Sequence, residues 1–319
     1  TTNKMRTLCF KKIMIFVLGF MKKLITKIIT FISFVLIAME AFNKIVLYLA
    51  KKEIKVNPIV DKTYNWRLGD IKYLVKGEGE SLLLIHNMTP GSSSLEWKKV
   101  IDKFAEKYRV YALDLPGFGI SDKKIKTYTN FLYVSVICDF ISEIIKEKTT
   151  VVTSGEAASI AVLSAYQRKD LFDKIVFVNP ESMKVYNTAP DKDSKKIKTL
   201  FSLPIIGTFL YLINVRKDDN TDYLFAAQYD GENARHYYGS YIGNYVNFPI
   251  HHKIGNVETP MLLITGEKYN NIYNTSSEYN EYIDNNYTIE NASQFPHLEK
   301  PEAFCEAFNV LLQYDYNDK

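Results

Sequence analysis

The sequence predicts an α/β fold, a mostly parallel sheet with helices on both faces, preceded by one apolar N-terminal helix. Three observations predict it. Short β-rich runs alternate with longer amphipathic runs after about residue 57. The strand candidates have apolar interiors, and their alternation with helices means a mostly parallel sheet covered on both faces. The first 55 residues carry eleven Lys or Arg against two Glu, a net of +9, which leaves −5 for the remainder of a chain whose total is +4.

The N-terminal run comes first. Residues 1–27 read as a basic tail and 28–50 as a transmembrane anchor: Lys22 and Lys23 precede an apolar run from Ile28 to Met39, and a second apolar stretch ends at Ala50. At about 1.5 Å per residue such a stretch crosses a hydrocarbon core of about 30 Å. Glu40 and Lys44 interrupt it at i,i+4 spacing, where their charges partly neutralise each other. A cleaved signal peptide and an interfacial helix are the competing readings, but Glu40 spoils a small-residue cleavage site between Ala38 and Ala41. More basic residues precede the span than follow it, so a single-pass protein with a cytoplasmic N-terminus and the large domain outside is expected.

Strands are expected at Leu82–His86, Arg109–Asp114, Thr150–Thr153, Lys174–Val178 and Met261–Thr265, and helices at Leu95–Lys107, 130–147, Ala157–Gln167 and from Pro301 onward. The alternation lapses between Glu181 and Val257, a stretch rich in Tyr, Asn and Lys with one apolar patch at Leu203–Ile213. It reads as an inserted cap rather than a loop, since structureless loops of that length are rare in compact domains. The domains are then 56–180, the first part of the core, 181–256, the cap, and 257–319, the second part.

Composition removes several functions. A net charge of +4 confined to the N-terminus does not suit nucleic acid as a partner, and 47% hydrophobic residues exclude disorder over most of the chain. Cys9, Cys138 and Cys305 are odd in number and lack nearby His, so neither a disulfide framework nor a zinc site is expected; the last two read as small buried hydrophobes. No cofactor and no metal is expected.

Four motifs carry a resemblance: His86-Asn87 after a buried strand, Ser92 to Trp97, Leu113-Asp114-Leu115-Pro116-Gly117-Phe118-Gly119-Ile120-Ser121-Asp122, and Phe295-Pro296-His297-Leu298-Glu299-Lys300-Pro301-Glu302 before the last helix. Together they resemble the α/β-hydrolase family over about 65–180 and 257–315, with the insertion where that family carries its cap. The resemblance implies a nucleophile at Gly155, counting back from Val178-Asn179-Pro180, with Thr153, Ala157 and Ala158 at the small positions of its strand-to-helix elbow. It implies the catalytic His at Gln294 and the acid at Tyr269, or alternatively at Asn179. None of these side chains can play the role.

Two readings follow. One is a membrane-anchored, catalytically degenerate protein with ligand-pocket and oxyanion positions at His86, Asn87 and Glu156, whose partners are the membrane and a small apolar ligand or an unidentified protein. The other is an active ester or lipid hydrolase with a rearranged site. Ser154 and His297, with Glu267 or Glu181 as acid, are its rescue candidates. Sliding the elbow onto Ser154 would reverse the faces of the strand and put Glu156 at a small position. His297 has a plain alternative as a packing residue, and His251 with His252 as a solvated turn.

Overall fold

In a computed structural model, residues 2–53, 58–215, 231–283 and 285–312 are described. Eight strands form one sheet in the order β1-β2-β4-β3-β5-β6-β7-β8. They are β1 Lys62–Trp66, β2 Gly69–Lys76, β3 Glu80–Ile85, β4 Tyr108–Asp114, β5 Thr149–Ser154, β6 Phe172–Val178, β7 Met261–Gly266 and β8 Asn285–Ile289. Pairings β1–β2 and β2–β4 are antiparallel and the rest parallel. The expected α/β-hydrolase class is therefore present, with β1, β2 and β8 added to the strands legible in the sequence.

Alternate residues of the central strands feed two cores, because successive side chains leave opposite faces of a strand. Leu83, Ile85, Leu113, Val151, Ile175, Phe177 and Leu263 pack under α3 (Asn130–Phe140) and α4 (Ala157–Gln167). Leu82, Leu84, Val110, Val152, Val176, Leu262 and Ile264 pack against Trp97, Phe104 and the last helix, α12 (Pro301–Leu312), through Phe304 and Phe308.

Two expected helices are shorter than their apolar patterns. Leu95–Lys107 resolves into a 3-10 turn, Ser94–Trp97, and a single helical turn, α2 (Ile101–Phe104). Helix α3 stops at Phe140 and tightens no further: residues Ile141–Ile145 form a π-turn that ends at Lys146 in the left-handed region, φ 67°.

Helix α1 runs unbroken from Thr2 to Glu53, about 78 Å at 1.5 Å per residue, so no break separates a tail from a span at residue 28. By length and composition, 10–52 is apolar enough to cross a membrane. The second half of the expected span is not free, however. Asn43, Val46 and Ala50 are buried against helices inserted between β6 and β7. These are α5 (Lys192–Ser202), α6 (Pro204–Asn214) and α7 (Gly231–Ile242). The Asn43 amide donates to the Ile205 carbonyl at 3.0 Å, and Phe42 meets Phe209 edge to face. Glu40 and Lys44 do pair, at 3.3 Å.

Candidate active site

Short helices complete the C-terminal ends of the strands: α8 (His251–Ile254), α9 (Glu267–Tyr273), α10 (Thr275–Tyr279) and α11 (Pro296–Glu299). The turn from β5 into α4 is where the site is built. Gly155 sits at its apex with φ +55°, a conformation that favours glycine, and its N–H donates to the Val178 carbonyl at 3.0 Å. Thr153, Ala157 and Ala158 around it are fully buried, and their small size lets α4 start hard against the strand.

Asn87 fills the space above Gly155. A Cβ added at 155 would stand 2.5 Å from Asn87 Oδ1 and 2.7 Å from its Cγ. That Oδ1 accepts the backbone N–H groups of Met88 at 2.7 Å and of Glu156 at 3.1 Å, while Nδ2 donates to Thr89 Oγ1 at 3.2 Å. In a hydrolase elbow the N–H after the nucleophile and an N–H from the β3 loop together receive the oxyanion. Here one side-chain carbonyl oxygen binds both. His86 lies beneath and is structural in its contacts: Nδ1 bonds the Asn87 carbonyl at 2.6 Å and Nε2 accepts from Leu115 N–H at 3.1 Å.

Aromatic residues of the insertion close the space further. The Tyr241 hydroxyl donates to Glu156 Oε1 at 2.7 Å, the Tyr186 hydroxyl to the Glu156 carbonyl at 3.3 Å, and the Tyr237 hydroxyl to the Met88 carbonyl. Burial raises the Tyr186 and Tyr237 phenols well above the ordinary range, so both stay neutral donors.

Asn179, Gln294 and Tyr269 gather at the ends of β6 and β7. Asn179 adopts φ 42°, and its amide donates to the carbonyls of Ser293 at 2.7 Å and Gln294 at 2.9 Å while its Oδ1 accepts Gly266 N–H at 2.8 Å. A carboxylate there could not donate to those two carbonyls, so Asn179 is fitted as a three-way tie rather than as an acid. Gln294 is half-buried. Tyr269 is buried, its hydroxyl 3.5 Å from the Pro180 carbonyl; burial, with Glu181 nearby, pushes the phenol up.

Ser154 and His297 come together through a residue that sequence reasoning missed. The Glu96 side chain is largely buried; its Oε2 accepts Asn87 N–H at 3.0 Å, the Ser154 hydroxyl lies beside the carboxyl, and its Oε1 lies 3.6 Å from His297 Nε2. Burial pushes the Glu96 carboxyl up to about 8, against the downward pull of the Asn87 N–H and the Ser154 hydroxyl. Burial also pushes His297 down to about 3. Near neutral pH both are uncharged, and the carboxyl stands between serine and imidazole, where a serine triad places the imidazole. His297 stacks on Trp97 at 4.2 Å, which is how a packing residue sits. Glu267 is committed elsewhere, accepting Asn291 N–H at 2.8 Å, and Glu181 accepts Ser182 N–H at 3.1 Å. On α8, His251 is half-buried and His252 exposed, with ring nitrogens 2.7 Å apart. Glu96 lies inside the Ser92 to Trp97 stretch that carries part of the resemblance, but nothing in that stretch marks it as a site residue.

A cavity of about 420 Å³ opens behind this cluster, lined by Ser92, Ser93, Leu95, Glu96, Phe295 and Leu298 among others. Its lining holds none of the expected pocket positions His86, Asn87 and Glu156, nor Gly155 or Gln294. The reason is the Asn87 side chain, which occupies the space where that pocket was expected. Cys138 and Cys305 are buried free thiols, pushed up to about 11 by burial, and so inert. Among the described residues no group of three or more His, Cys, Asp or Glu is placed to hold a metal ion.

Among solved structures, a serine hydrolase involved in carbazole degradation superposes with a TM-score of 0.61 at 22% identity, covering 79% of this chain and 98% of that one. A bacterial membrane phospholipase A superposes with a TM-score of 0.58 at 18% identity, covering 93% and 97%. At these identities the likeness is one of fold. An uncharacterized protein of Mycobacterium tuberculosis is 31% identical over 143 residues, 45% of this chain and 39% of that protein. A soluble epoxide hydrolase of a Corynebacterium species is 28% identical over 107 residues, 34% and 37% respectively. The chain thus spans well under half the length of these curated relatives. The sequence also matches the alpha/beta hydrolase fold family over residues 81–308, from β3 into α12, and on that match this chain belongs to the α/β-hydrolase fold family.

Proposed function

We propose that this is a membrane-anchored, catalytically silent member of the family that binds a small apolar ligand or a protein partner. The observation that carries the reading is Asn87 Oδ1 bound to the N–H groups of both Met88 and Glu156, above a Gly155 with no hydroxyl. A carbonyl oxygen already in the oxyanion position competes with any transition-state oxyanion, and nucleophile, base and orienter act as a unit that Gly155, Gln294 and Tyr269 do not supply. The cap over the elbow is the insertion that supplies Tyr237 and Tyr241. A ligand with an apolar body fits better in the 420 Å³ cavity, beside Leu95, Phe295 and Leu298, than over Gly155. Helix α1 supplies the anchor, with its basic N-terminal end in the cytoplasm and the globular part on the outer side.

The second reading, an ester or lipid hydrolase, is favoured only by the contact chain Ser154–Glu96–His297. In it Glu96, once ionised, would take the proton of Ser154 as the hydroxyl attacks an ester carbonyl, so turnover would rise as pH passes about 8.

Labelling of the full chain in detergent with a fluorophosphonate probe separates the two. The silent reading expects no labelling and turnover of p-nitrophenyl esters no greater than the about 10³–10⁴ over water left to enzymes stripped of a triad. Strong labelling that Ser154→Ala abolishes would establish the second reading instead.

A further inference from the structure

Helices α5 and α6 meet at Leu203 with a bend of 105°, and they and the corner carry Leu200, Leu203 and Ile213, three of the large apolar side chains that the described part of the insertion leaves in water. On α6, Gly207, Thr208, Tyr211 and Leu212 face inward and Leu210 packs partly against the same cluster, while Leu203 at its N-cap, Ile206 and Ile213, spaced i, i+3 and i+10, lie on the other side, Ile206 half-buried and the other two exposed. Leu203 is 42% exposed and Ile213 52%. On α5 the row 192–196–200 continues into 203, basic at its start with Lys192 and Lys196 and apolar at its end with Leu200. The same corner holds α1: Asn43 bonds Ile205, Phe42 touches Phe209, and Val46 and Ala50 sit in one cluster with Tyr211 and Leu212. Residues Ile45 and Tyr48, on the outward side of α1 at this level, are 59% and 63% exposed.

We infer that α5, α6 and residues 42–50 of α1 form one seating face, which lies in the headgroup region of an anionic bilayer with Leu200, Leu203, Ile206 and Ile213 dipped below it. The inference rests on the anchor reading of α1. Continuity names the occupant: the apolar corner is packed onto the helix that enters the bilayer, at the end of α6 nearest Phe42 and Asn43, so it is delivered to the lipid surface without further diffusion. Chemistry agrees. An apolar row flanked by lysines is the pattern of a helix lying in an interface, with ammonium groups reaching anionic headgroups while their stems stay along the apolar surface. Docking also places the hydrocarbon-crossing part of α1 upstream of residue 42, because the buried side chains of Asn43, Val46 and Ala50 are covered by protein.

The test uses the full chain in phosphatidylglycerol-containing vesicles, with Cys9→Ser and single cysteines carrying an environment-sensitive fluorophore at Leu203→Cys, Ile213→Cys, Phe34→Cys and Ile272→Cys. Cys138 and Cys305 are buried and stay unlabelled. Probes at 203 and 213 should shift to the blue and lose intensity to nitroxide lipids labelled near the headgroup, whereas a probe at the exposed core residue Ile272 should do neither. Quenching at Phe34 without quenching at 203 and 213 would overturn the seating face and leave the anchor standing. No quenching at Phe34 either would remove the anchor itself. A blue shift at 203 and 213 that lipid nitroxides do not quench would mean that protein, such as a second copy of the chain, covers this face, and would equally overturn the inference.

Discussion

The space above Gly155 and the cavity beside Glu96 are joined by one hydrogen bond, from Asn87 N–H to the Glu96 carboxyl, and differ in how their polar groups are satisfied. Above Gly155 the Asn87 oxygen binds two N–H groups, and tyrosine hydroxyls bind Glu156 and Met88. On the cavity side, Glu96 Oε1, from a residue of the lining, is buried without a hydrogen-bond partner, as are Trp97 Nε1 and both ring nitrogens of His297 in the core beneath it. Polar groups left unsatisfied in a core cost free energy that a ligand or ordered water can recover, whereas a fully bonded site offers a ligand nothing. The place where the fold usually works is therefore the closed one, and the chemically receptive place is next door.

The largest effect should come from reopening the closed side. Replacing Gly155→Ser, Gln294→His and Tyr269→Asp together restores the family's residue types but leaves the Asn87 oxygen in place. Adding Asn87→Gly should raise p-nitrophenyl ester turnover a further 10² to 10³-fold or so, the usual worth of an oxyanion donor. Equal rates for the triple and quadruple variants would show that Asn87 does not block the site.

On the receptive side, Glu96 and His297 should shape stability against pH. The unfolded chain ionises Glu96 from its ordinary 4.5, but the folded protein holds the proton until about 8, so stability falls as pH rises across that window. His297 acts in the opposite sense: the unfolded chain protonates it below 6.5 and the folded protein only near 3, so stability falls as pH drops through that range. The two slopes cancel between 4.5 and 6.5, leaving a plateau. From pH 6.5 to 8 the net slope from this pair is about −1.4 kcal/mol per pH unit. Urea titrations of wild type and Glu96→Gln across that range should diverge accordingly; parallel curves would mean that Glu96 is ionised in the folded protein.

A smaller effect tests the contact between the two sides. Gly155→Ala forces a side chain into φ +55° and toward Asn87, which should cost about 1–3 kcal/mol of stability. In an Asn87→Gly background only the backbone strain remains, so the cost should shrink. Identical losses of urea midpoint in both backgrounds would mean that Asn87 moves aside freely.

Most of the parallel sheet was legible because β3 through β7 are buried on both faces and read as apolar runs. β1, β2 and β8 were not: their burial patterns mix exposed and buried residues, and neighbouring strands rather than composition hold them in place. Helix 130–147 ran too long because its apolar spacing continues through the π-turn, and the left-handed Lys146 that ends it has no sequence mark.

The sequence alone determined the family, the presence of Gly155 where a nucleophile is expected, and the apolar N-terminal helix, since each of these depends on residue type and local spacing. Only tertiary structure decided that the Asn87 oxygen binds the N–H groups of Met88 and Glu156, that Glu96 stands between Ser154 and His297, and that α1 docks on α6. All three join segments far apart in the chain, and their strength lies in distance and burial, which have no local pattern.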